Sequence, residues 1–304
     1  MKTFTESVNC DYPIVAMAMN KVSDLRLAIA IRKAGGLPSL SVFNYFTAPN
    51  VIEKTLIELD LMAYREVFKD THIIVSTSVS VLLSLKLTEV LTRFKVLCVE
   101  LILDDDITTR ASSDVVSNEI KALQAGGVMV FTKTLSDDDI LPGIDGIVLK
   151  GPDGAGRGNT SGISLLDLFD DIHSRYPDLL IIPAGGISTA EHVKQYMDRG
   201  AWACGIGTLF AATEESRVSY ETKLKMVEAT SKDIQQLANG DVQAFAQNAL
   251  VFGKVANDNF NNTKGLMAGV SSPKHGHIFV GAGIDSVTSI VPVRTVIDNL
   301  VKGL

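Results

Sequence analysis

Eight short apolar runs alternate with amphipathic segments through the first two thirds of the sequence, and this alternation constrains the fold more than any other feature. Runs such as residues 147–149 are apolar at consecutive positions, as in parallel strands buried on both faces. The segments between them, for example residues 79–94 and 113–124, repeat apolar residues at helical spacing. Strands that alternate with helices predict an α/β fold with a parallel sheet and right-handed crossovers. The predicted strands are residues 12–18, 37–42, 72–77, 96–102, 127–132, 145–150, 179–183 and 202–206.

Eight such units favour a closed (β/α)8 barrel, a fold that takes about 200 residues or more. An open, doubly wound sheet is the alternative. The loop after the first predicted strand, residues 16–20, lacks the G-x-G-x-x-G pattern of a dinucleotide-binding domain, which counts against the open sheet. Between the last two strands a helix is predicted to begin at Ser188, because Glu191 three residues later completes a capping-box pattern.

After Ser216 the regular alternation ends. Helices are predicted at residues 220–237 and 241–252, and a closing helix is predicted within residues 284–300. The predicted fold is therefore an α/β (β/α)8 TIM barrel with a small helical subdomain inserted after strand eight. Its expected parts are a barrel at residues 1–216, a small helical lid over the barrel mouth at 217–280, and a C-terminal segment at 281–304 that returns to the barrel.

Two of the predicted strands end in glycine. The run at 179–183 leads into the sequence AGGI at 184–187, and the run at 202–206 leads into Gly207 and Thr208. Glycine lets the main chain approach an anion closely, and clusters of backbone N–H groups favour phosphate. Tight turns alone would also use glycine. Two glycine-ended strands late in a β/α chain, however, match the usual phosphate site of a (β/α)8 barrel.

Composition and charge exclude several classes of partner. Of the 304 residues 46% are hydrophobic and 21% charged, and the net charge is −7 without any lysine- or arginine-rich run, so no nucleic-acid partner is expected. No apolar run reaches the about 18 residues that span a bilayer, and no apolar signal-peptide core is visible, so no membrane partner is expected. Cys10, Cys98 and Cys204 show no C-x-x-C spacing. We expect Cys98 and Cys204 to be buried thiols in a reducing, cytoplasmic compartment.

Short motifs in a fixed order cover most of residues 12–216. They lie at residues 13–19, 33–37, 124–128, 145–151, 184–187, 205–210 and 214–216. Together they resemble the nitronate monooxygenase (2-nitropropane dioxygenase-like) flavoproteins, a family that includes FMN-dependent enoyl-acyl-carrier-protein reductases. The sequence PIVAMAM stands where that family has P-I-hydrophobic-Q-A-P-M, and KAGGL is close to its E-A-G-G-L. Single motifs such as AGGI also occur in IMP dehydrogenase-like barrels, but the ordered set is specific.

The resemblance implies a (β/α)8 barrel that binds FMN at the carboxyl ends of its strands. Ser76 stands near a position where the family often has Asn, and Lys150 stands where it has a Gln beside the flavin. The backbone around residues 17–19 is expected to face the isoalloxazine ring, and the glycine-ended strands are expected to hold the phosphate. The expected cofactor-binding residues are Met17, Ala18, Met19, Ser76, Lys150, Ala184, Gly185, Gly186, Gly207 and Thr208.

The sequence departs from the family in the glycine-rich loop, residues 150–162. The family's loop reads Q-G-x-E-A-G-G-H-x-G, with the His as the base, and Arg157 stands at the position of that His. An arginine keeps its proton, so Arg157 cannot be a general base, but it can bind an anionic nitronate, a carboxylate or a developing oxyanion. Lys150 replaces the family Gln. It could stabilise an anionic reduced flavin, form a Schiff base, or cap its strand and point to water.

A histidine elsewhere could replace the lost base. His275 and His277 lie in the irregular stretch that could cover the site, and we expect His277, with Arg157 and Lys150, to be catalytic. No metal is expected, because the H-x-H spacing has no carboxylate or cysteine nearby in the sequence. The aspartates at 104–106 could hold Mg²⁺, but a solvated loop is the expected structure there.

The sequence favours one function and leaves others open. The favoured one is an FMN-dependent oxidoreductase of the nitronate monooxygenase type that oxidises a small anionic, nitronate-like substrate with O2 as the acceptor. The alternatives are an NAD(P)H-dependent enoyl-thioester reductase and a flavin-binding barrel whose catalysis is altered or lost because Arg157 replaces the family His. A flavin-free lyase or isomerase with Lys150 as its amine is a further alternative. A homodimer is left open.

Overall fold

The computed structural model describes residues 3–48, 51–103, 113–136, 140–157, 162–237, 247–252 and 263–304. The strands in these ranges are β1 (Ile14–Ala16), β2 (Ser39–Ser41), β3 (Phe46–Ala48), β4 (Val51–Ile52), β5 (Ile74–Ser78), β6 (Cys98–Ile102), β7 (Met129–Thr134), β8 (Gly146–Lys150), β9 (Gly156–Arg157), β10 (Leu180–Ala184), β11 (Cys204–Ile206), β12 (Gln235–Leu237), β13 (Gln247–Phe252) and β14 (Gly276–Phe279). The helices are α1 (Phe4–Val8), α2 (Leu25–Lys33), α3 (Lys54–Phe68), α4 (Val79–Ser84), α5 (Leu87–Phe94), α6 (Ser113–Ala125), α7 (Leu165–Arg175), α8 (Ala190–Met197), α9 (Thr208–Ala211), α10 (Tyr220–Glu228), α11 (Thr263–Ser271) and α12 (Val293–Leu300). Within the same ranges, every helix falls short of the length and apolar character needed to cross a lipid bilayer.

Eight parallel strands form a nearly closed barrel of the TIM-barrel type. Their hydrogen-bonded order is β1-β11-β10-β8-β7-β6-β5-β2. A parallel bridge between Val15 and Leu37 joins the two ends of that order, so the sheet closes on itself. The barrel is therefore confirmed over the open sheet, and each predicted strand boundary lies within two residues of the observed one.

The inner face of the barrel changes from apolar to polar along the strands. Cys98 and Phe131 belong to the apolar cluster at the barrel centre. Because side chains on a strand alternate between its two faces, Glu100 and Lys133 share this inner face one step nearer to the carboxyl ends of β6 and β7. The polar carboxyl end of the barrel is therefore where a ligand site is expected.

Aromatic side chains close the opposite, amino end of the barrel. Helix α1 places Phe4 edge-on against Trp202, with ring centroids 4.9 Å apart. Phe131 packs on the same Trp202 ring, at a centroid distance of 5.3 Å. All three side chains are buried. This end is filled by these side chains, and a cavity lies at the carboxyl ends of the strands.

The segment after the barrel is not purely helical, and the prediction of a helical subdomain needs correction. The helix predicted at 241–252 is wrong where the structure describes it, because Gln247–Phe252 is the strand β13; residues 241–246 lie outside the described ranges. The helix predicted at 220–237 ends at Glu228, and its last three residues are the strand β12. Strands β12, β13 and β14 form an antiparallel sheet that β9 extends. Pairing with strands distant in the sequence decides this conformation, not local propensity.

Helix α8 begins one residue later than its capping pattern predicts. Thr189, not Ser188, is the N-cap residue, and its hydroxyl accepts a hydrogen bond from the amide of His192 at 3.2 Å. The Ser188 hydroxyl instead accepts from the hydroxyl of Ser286 at 2.9 Å. A tertiary contact with the C-terminal segment has therefore replaced the predicted local cap.

Candidate active site

A cavity of about 310 Å³ lies at the carboxyl ends of the barrel strands, where ligand sites form in this fold. The ends of the strands, the loop after β1 and the residues around β14 surround it. The structure brings all ten residues predicted to bind a cofactor to this one cavity. They are Met17, Ala18, Met19, Ser76, Lys150, Ala184, Gly185, Gly186, Gly207 and Thr208.

Glycines make up much of the cavity wall and leave backbone amides exposed to it. Gly186 has a φ of +77°, which side chains rarely allow, and a Cβ on Gly207 would meet no atom closer than 3.8 Å. In the ranges that the structure describes, no oxygen accepts a hydrogen bond from the amides of Gly186, Gly207 or Thr208. Free amides from two neighbouring strand ends suit an anion such as a phosphate. The glycines of the wall are Gly154, Gly156, Gly185, Gly186, Gly205, Gly207, Gly281 and Gly283.

A short segment after β14 closes the glycine-rich end of the cavity, and the sequence analysis missed it. The Gly281 amide donates a hydrogen bond to Thr208 Oγ1 at 3.0 Å, so the hydroxyl proton of Thr208 stays available to a further acceptor. The Ala282 amide donates to the Asp153 carbonyl at 2.9 Å. A Cβ on Gly281 would come within 2.2 Å of that carbonyl oxygen, so only glycine fits there. The sequence GAG at 281–283 was the available signal.

Asn248 of β13 holds the described part of the glycine-rich loop. Its Nδ2 donates hydrogen bonds to the carbonyl oxygens of Pro152 and Gly154, at 2.9 and 2.8 Å. The Lys150 ammonium, from the end of β8, donates to the Ala155 carbonyl within the same loop. Sequence reasoning missed Asn248, because it stands in a segment predicted as helix and about ninety positions away from its partners.

The structure describes the backbone of Arg157 only. It forms β9 with Gly156 and pairs antiparallel with Gln247 of β13. Its side chain lies outside the described part of the chain. The predicted contact between its guanidinium and a substrate therefore stays a prediction.

A buried ion pair lies at the base of the cavity and was not predicted. Lys133 Nζ lies 3.2 Å from Glu100 Oε1. The Glu100 side chain is 1% exposed and the Lys133 side chain 20%, and Lys133 lines the cavity. A single acidic residue within the apolar run at 96–102 was the only sequence signal.

The charged side chains of the described cavity wall are two lysines and one aspartate. Lys133 and Lys150 stand at the ends of neighbouring strands. Asp153 lies at the glycine end, where a Cβ on Gly186 would be 3.1 Å from the Asp153 Cβ. The two cations therefore lie at the strand ends, away from the aspartate.

His277 does not reach the cavity. It lies on β14 and is buried, with its ring 5.0 Å from that of Phe279. Its neighbours Ile278 and Phe279 line the cavity, but His277 does not. Burial lowers the pKa of its imidazole below 6.5. His277 thus lies outside the cavity wall, and its catalytic role stays a prediction.

The cysteines are buried free thiols, as predicted for Cys98 and Cys204. Burial raises the pKa of the Cys204 thiol to about 12 and that of Cys10 to about 11, and it also raises the pKa of Cys98. These thiols are therefore neutral near pH 7. In the described ranges no group of three or more His, Cys, Asp or Glu residues could hold a metal ion, and the aspartates at 104–106 lie outside those ranges.

The sequence model of the nitronate monooxygenase family matches residues 99–303, which is more than half of the 304 residues. The chain belongs to the nitronate monooxygenase family. The resemblance of the motifs is thereby confirmed, and the chain is an oxidoreductase of a family that typically binds FMN. No curated protein matches the chain by sequence.

Solved structures share the fold over almost the whole chain. FabK from Thermotoga maritima, an enoyl-acyl-carrier-protein reductase, superposes with a TM-score of 0.77 at 21% identity, covering 99% of this chain and 96% of its own. Nitroalkane oxidase from Streptomyces ansochromogenes superposes with a TM-score of 0.75 at 17% identity, covering 99% and 97%. The enoyl reductase domain of MlnA from Bacillus amyloliquefaciens gives 0.60 at 16% identity, covering 81% and 65%. At these identities the likeness concerns the fold, and it does not separate an oxidase from a reductase.

Proposed function

We propose that this chain binds FMN in the barrel cavity and oxidises a small anionic substrate of the nitronate type, with O2 as the electron acceptor. The observation that carries the proposal is the pairing, in one cavity, of free glycine amides at two strand ends with two lysines at two others. The first group suits a phosphate and the second suits a negatively charged ring and substrate. Family membership supports the choice of FMN.

The residues present fit the phosphate end of FMN. The amides of Gly186, Gly207 and Thr208 have no acceptor among the described residues, so a phosphate would satisfy them without displacing an internal hydrogen bond. The Thr208 hydroxyl would donate its proton to the same phosphate, because its lone pair already receives the Gly281 amide. A side chain larger than glycine at position 207 would occupy the space that the phosphate needs.

The reacting end of the cavity combines positive charge with apolar cover. FMN, when bound, supplies the redox chemistry that amino-acid side chains lack. The ammonium groups of Lys133 and Lys150 would attract an anionic substrate and stabilise negative charge that develops beside them. Leu266, Ile278 and Phe279 line the outer side, where they would exclude water and strengthen these interactions.

The substrate is expected to arrive already deprotonated. No described residue of the cavity wall is a histidine, and Arg157, at the position of the family base, keeps its proton. A nitronate needs no base, whereas a neutral nitroalkane does. The proposal therefore predicts that the protein oxidises the nitronate and does not oxidise the neutral nitroalkane.

Absorbance spectra test the proposal. The purified protein should show a flavin spectrum that bleaches under anaerobic conditions on addition of a small alkyl nitronate and stays oxidised with the parent nitroalkane. Arg157→His should gain activity on the nitroalkane, and Arg157→Lys, which keeps the charge without a base, should not. A protein that binds no flavin when reconstituted with FMN, or one that reacts equally well with both substrates, would refute the proposal.

An NAD(P)H-dependent enoyl-thioester reductase is the second candidate. The apolar residues Leu266, Ile278 and Phe279 at the cavity suit an acyl chain, and the folds of FabK and of an enoyl reductase domain superpose on this chain. Oxidation of NAD(P)H that depends on an enoyl thioester, together with no reaction with nitronates, would decide for this function. A flavin-loaded protein inert to both substrates would indicate that catalysis is altered or lost.

A further inference from the structure

Glu100 carries a carboxylate that is buried inside the barrel. Its side chain is 1% exposed, on the inner face of β6 between the apolar barrel centre and the cavity. Within the part of the chain that the structure describes, neither of its carboxylate oxygens accepts a hydrogen bond. Burying an ionised carboxylate without compensation is strongly unfavourable. A side chain of this kind in a barrel interior therefore needs a partner or a function.

Lys133 is the one partner that the described residues provide. Its Nζ lies 3.2 Å from Glu100 Oε1, too close for the charges to be independent and without hydrogen-bond geometry. No other described carboxylate lies within ion-pair distance of Lys133. The ammonium group thus has Glu100 on one side and the cavity on the other.

The strand register explains how the two residues meet. Glu100 of β6 is paired with Phe131 of β7, and Lys133 follows Phe131 by two residues on the same inner face. On the other side, Glu100 is paired with Ser76 of β5, which lines the cavity. Glu100 itself does not line the cavity. Any effect it has on a ligand must pass through a neighbour, and Lys133 is the charged one.

We propose that Glu100 is a positioning residue that holds the Lys133 ammonium at the floor of the cavity. The Lys133 side chain is 20% exposed and would otherwise be free to turn toward solvent. The buried carboxylate, 3.2 Å from Lys133 Nζ, opposes that rotation. The consequence for the flavin rests on the proposed function; the pairing itself does not.

The other charged and titratable groups near the pair decide which variant tests it. Lys150 on β8 adds a second positive charge to the cavity wall. Asp153 in the glycine-rich loop is exposed and lies at the glycine end. Cys98, below Glu100 on β6, is a neutral thiol because burial and the charge of Glu100 raise its pKa. Glu100 is therefore the charge whose removal should change Lys133 most.

The first experiment needs no flavin. Lysines of the flavin-free protein are labelled by reductive ¹³C-methylation, and the Lys133 signal is assigned by its loss in Lys133→Met. The broadening of this signal by a soluble paramagnetic reagent reports how accessible the ammonium group is to solvent. Glu100→Gln is expected to increase the broadening, because the side chain turns outward. Glu58→Gln, which removes the same charge from a surface pair with Arg93, should leave it unchanged. Unchanged broadening of the Lys133 signal in Glu100→Gln would overturn the proposal.

A second variant and a second measurement keep the test decisive. If Glu100→Gln does not fold, Glu100→Asp keeps the charge but withdraws it by one methylene, and a smaller increase in the broadening of the Lys133 signal is expected. With FMN bound, Glu100→Gln should shift the flavin midpoint potential, and the shift should vanish in a Lys133→Met background because Glu100 acts through Lys133. An equal shift in both backgrounds would contradict the role assigned to Glu100. A protein that binds no FMN would refute the proposed function and leave the result of the labelling experiment standing.

Discussion

The two hydrogen bonds that Asn248 donates to the glycine-rich loop give a direct test of how the candidate site is held. Asn248 is 8% exposed, and its Nδ2 lies 2.9 Å from the Pro152 carbonyl and 2.8 Å from that of Gly154. Each bond contributes a net free energy of about 1 kcal/mol. Asn248→Ala should therefore weaken the attachment of the loop by about 2 kcal/mol, or about 30-fold in the opening equilibrium.

Hydrogen exchange of the Gly154 amide, which bonds to the Gly151 carbonyl at 3.2 Å, reports this opening without any ligand. Its protection should fall about 30-fold in Asn248→Ala, as worked from two bonds of about 1 kcal/mol each. Asn248→Asp should lose at least as much, because a carboxylate of the same shape faces the two carbonyl oxygens without a donor. Gln236→Ala changes an exposed side chain paired with Asn248 across β12 and β13, and it serves as the control. Unchanged protection in both Asn248 variants, with urea denaturation showing intact global stability, would refute the reasoning.

Three further predictions follow from the same geometry. Gly207 has a φ of −118°, which any residue adopts, so Gly207→Val should fold. Its side chain should fill the space beside the Gly207 amide and weaken FMN binding by about 1–3 kcal/mol, as measured by fluorescence titration. An unchanged affinity would place the phosphate elsewhere. Thr208→Val should weaken FMN binding by about 1 kcal/mol, whereas Thr208→Ser keeps the hydroxyl and should bind nearly as the parent does. Burial lowers the pKa of His277 in the folded state, so the unfolded chain takes up a proton that the folded chain resists, and stability should fall as the pH drops below about 6.5. His277→Gln should flatten this loss in urea denaturation series at pH 7.5 and pH 5.5; an identical pH dependence in the two proteins would contradict it.

The barrel could be predicted because its signals are local. A strand buried on both faces needs an apolar run, and a crossover helix needs an amphipathic stretch, so composition along the chain revealed all eight strands. The gathering of glycines at one end of the cavity was predictable for the same reason. Gly186 and Gly207 follow their strands directly, and parallel strands of a barrel end at one rim.

The predictions that failed concern residues whose conformation or contacts depend on segments distant in the sequence. The strand β13 looks helical by itself and is fixed by β9, β12 and β14. Asn248 could not be identified before that pairing was known. Glu100 and Lys133 each stand in or next to a strand that the sequence predicts, but only the register between β6 and β7 shows that they meet. Ser188 was a sound local cap that a tertiary hydrogen bond to Ser286 displaced.

The absence of a histidine among the described residues of the cavity wall makes a last prediction about pH. If the chain lacks a base, the only proton to be removed before oxidation is the substrate's own, and it leaves in solution. For two nitroalkanes of different acidity, offered at equilibrium with their nitronates, the rise of the rate with pH should then follow each compound's own pKa. A base on the protein would instead give both compounds one common rise, and Arg157→His should convert the first pattern into the second. A common rise in the unchanged protein would mean that another group, such as Asp153, takes the proton.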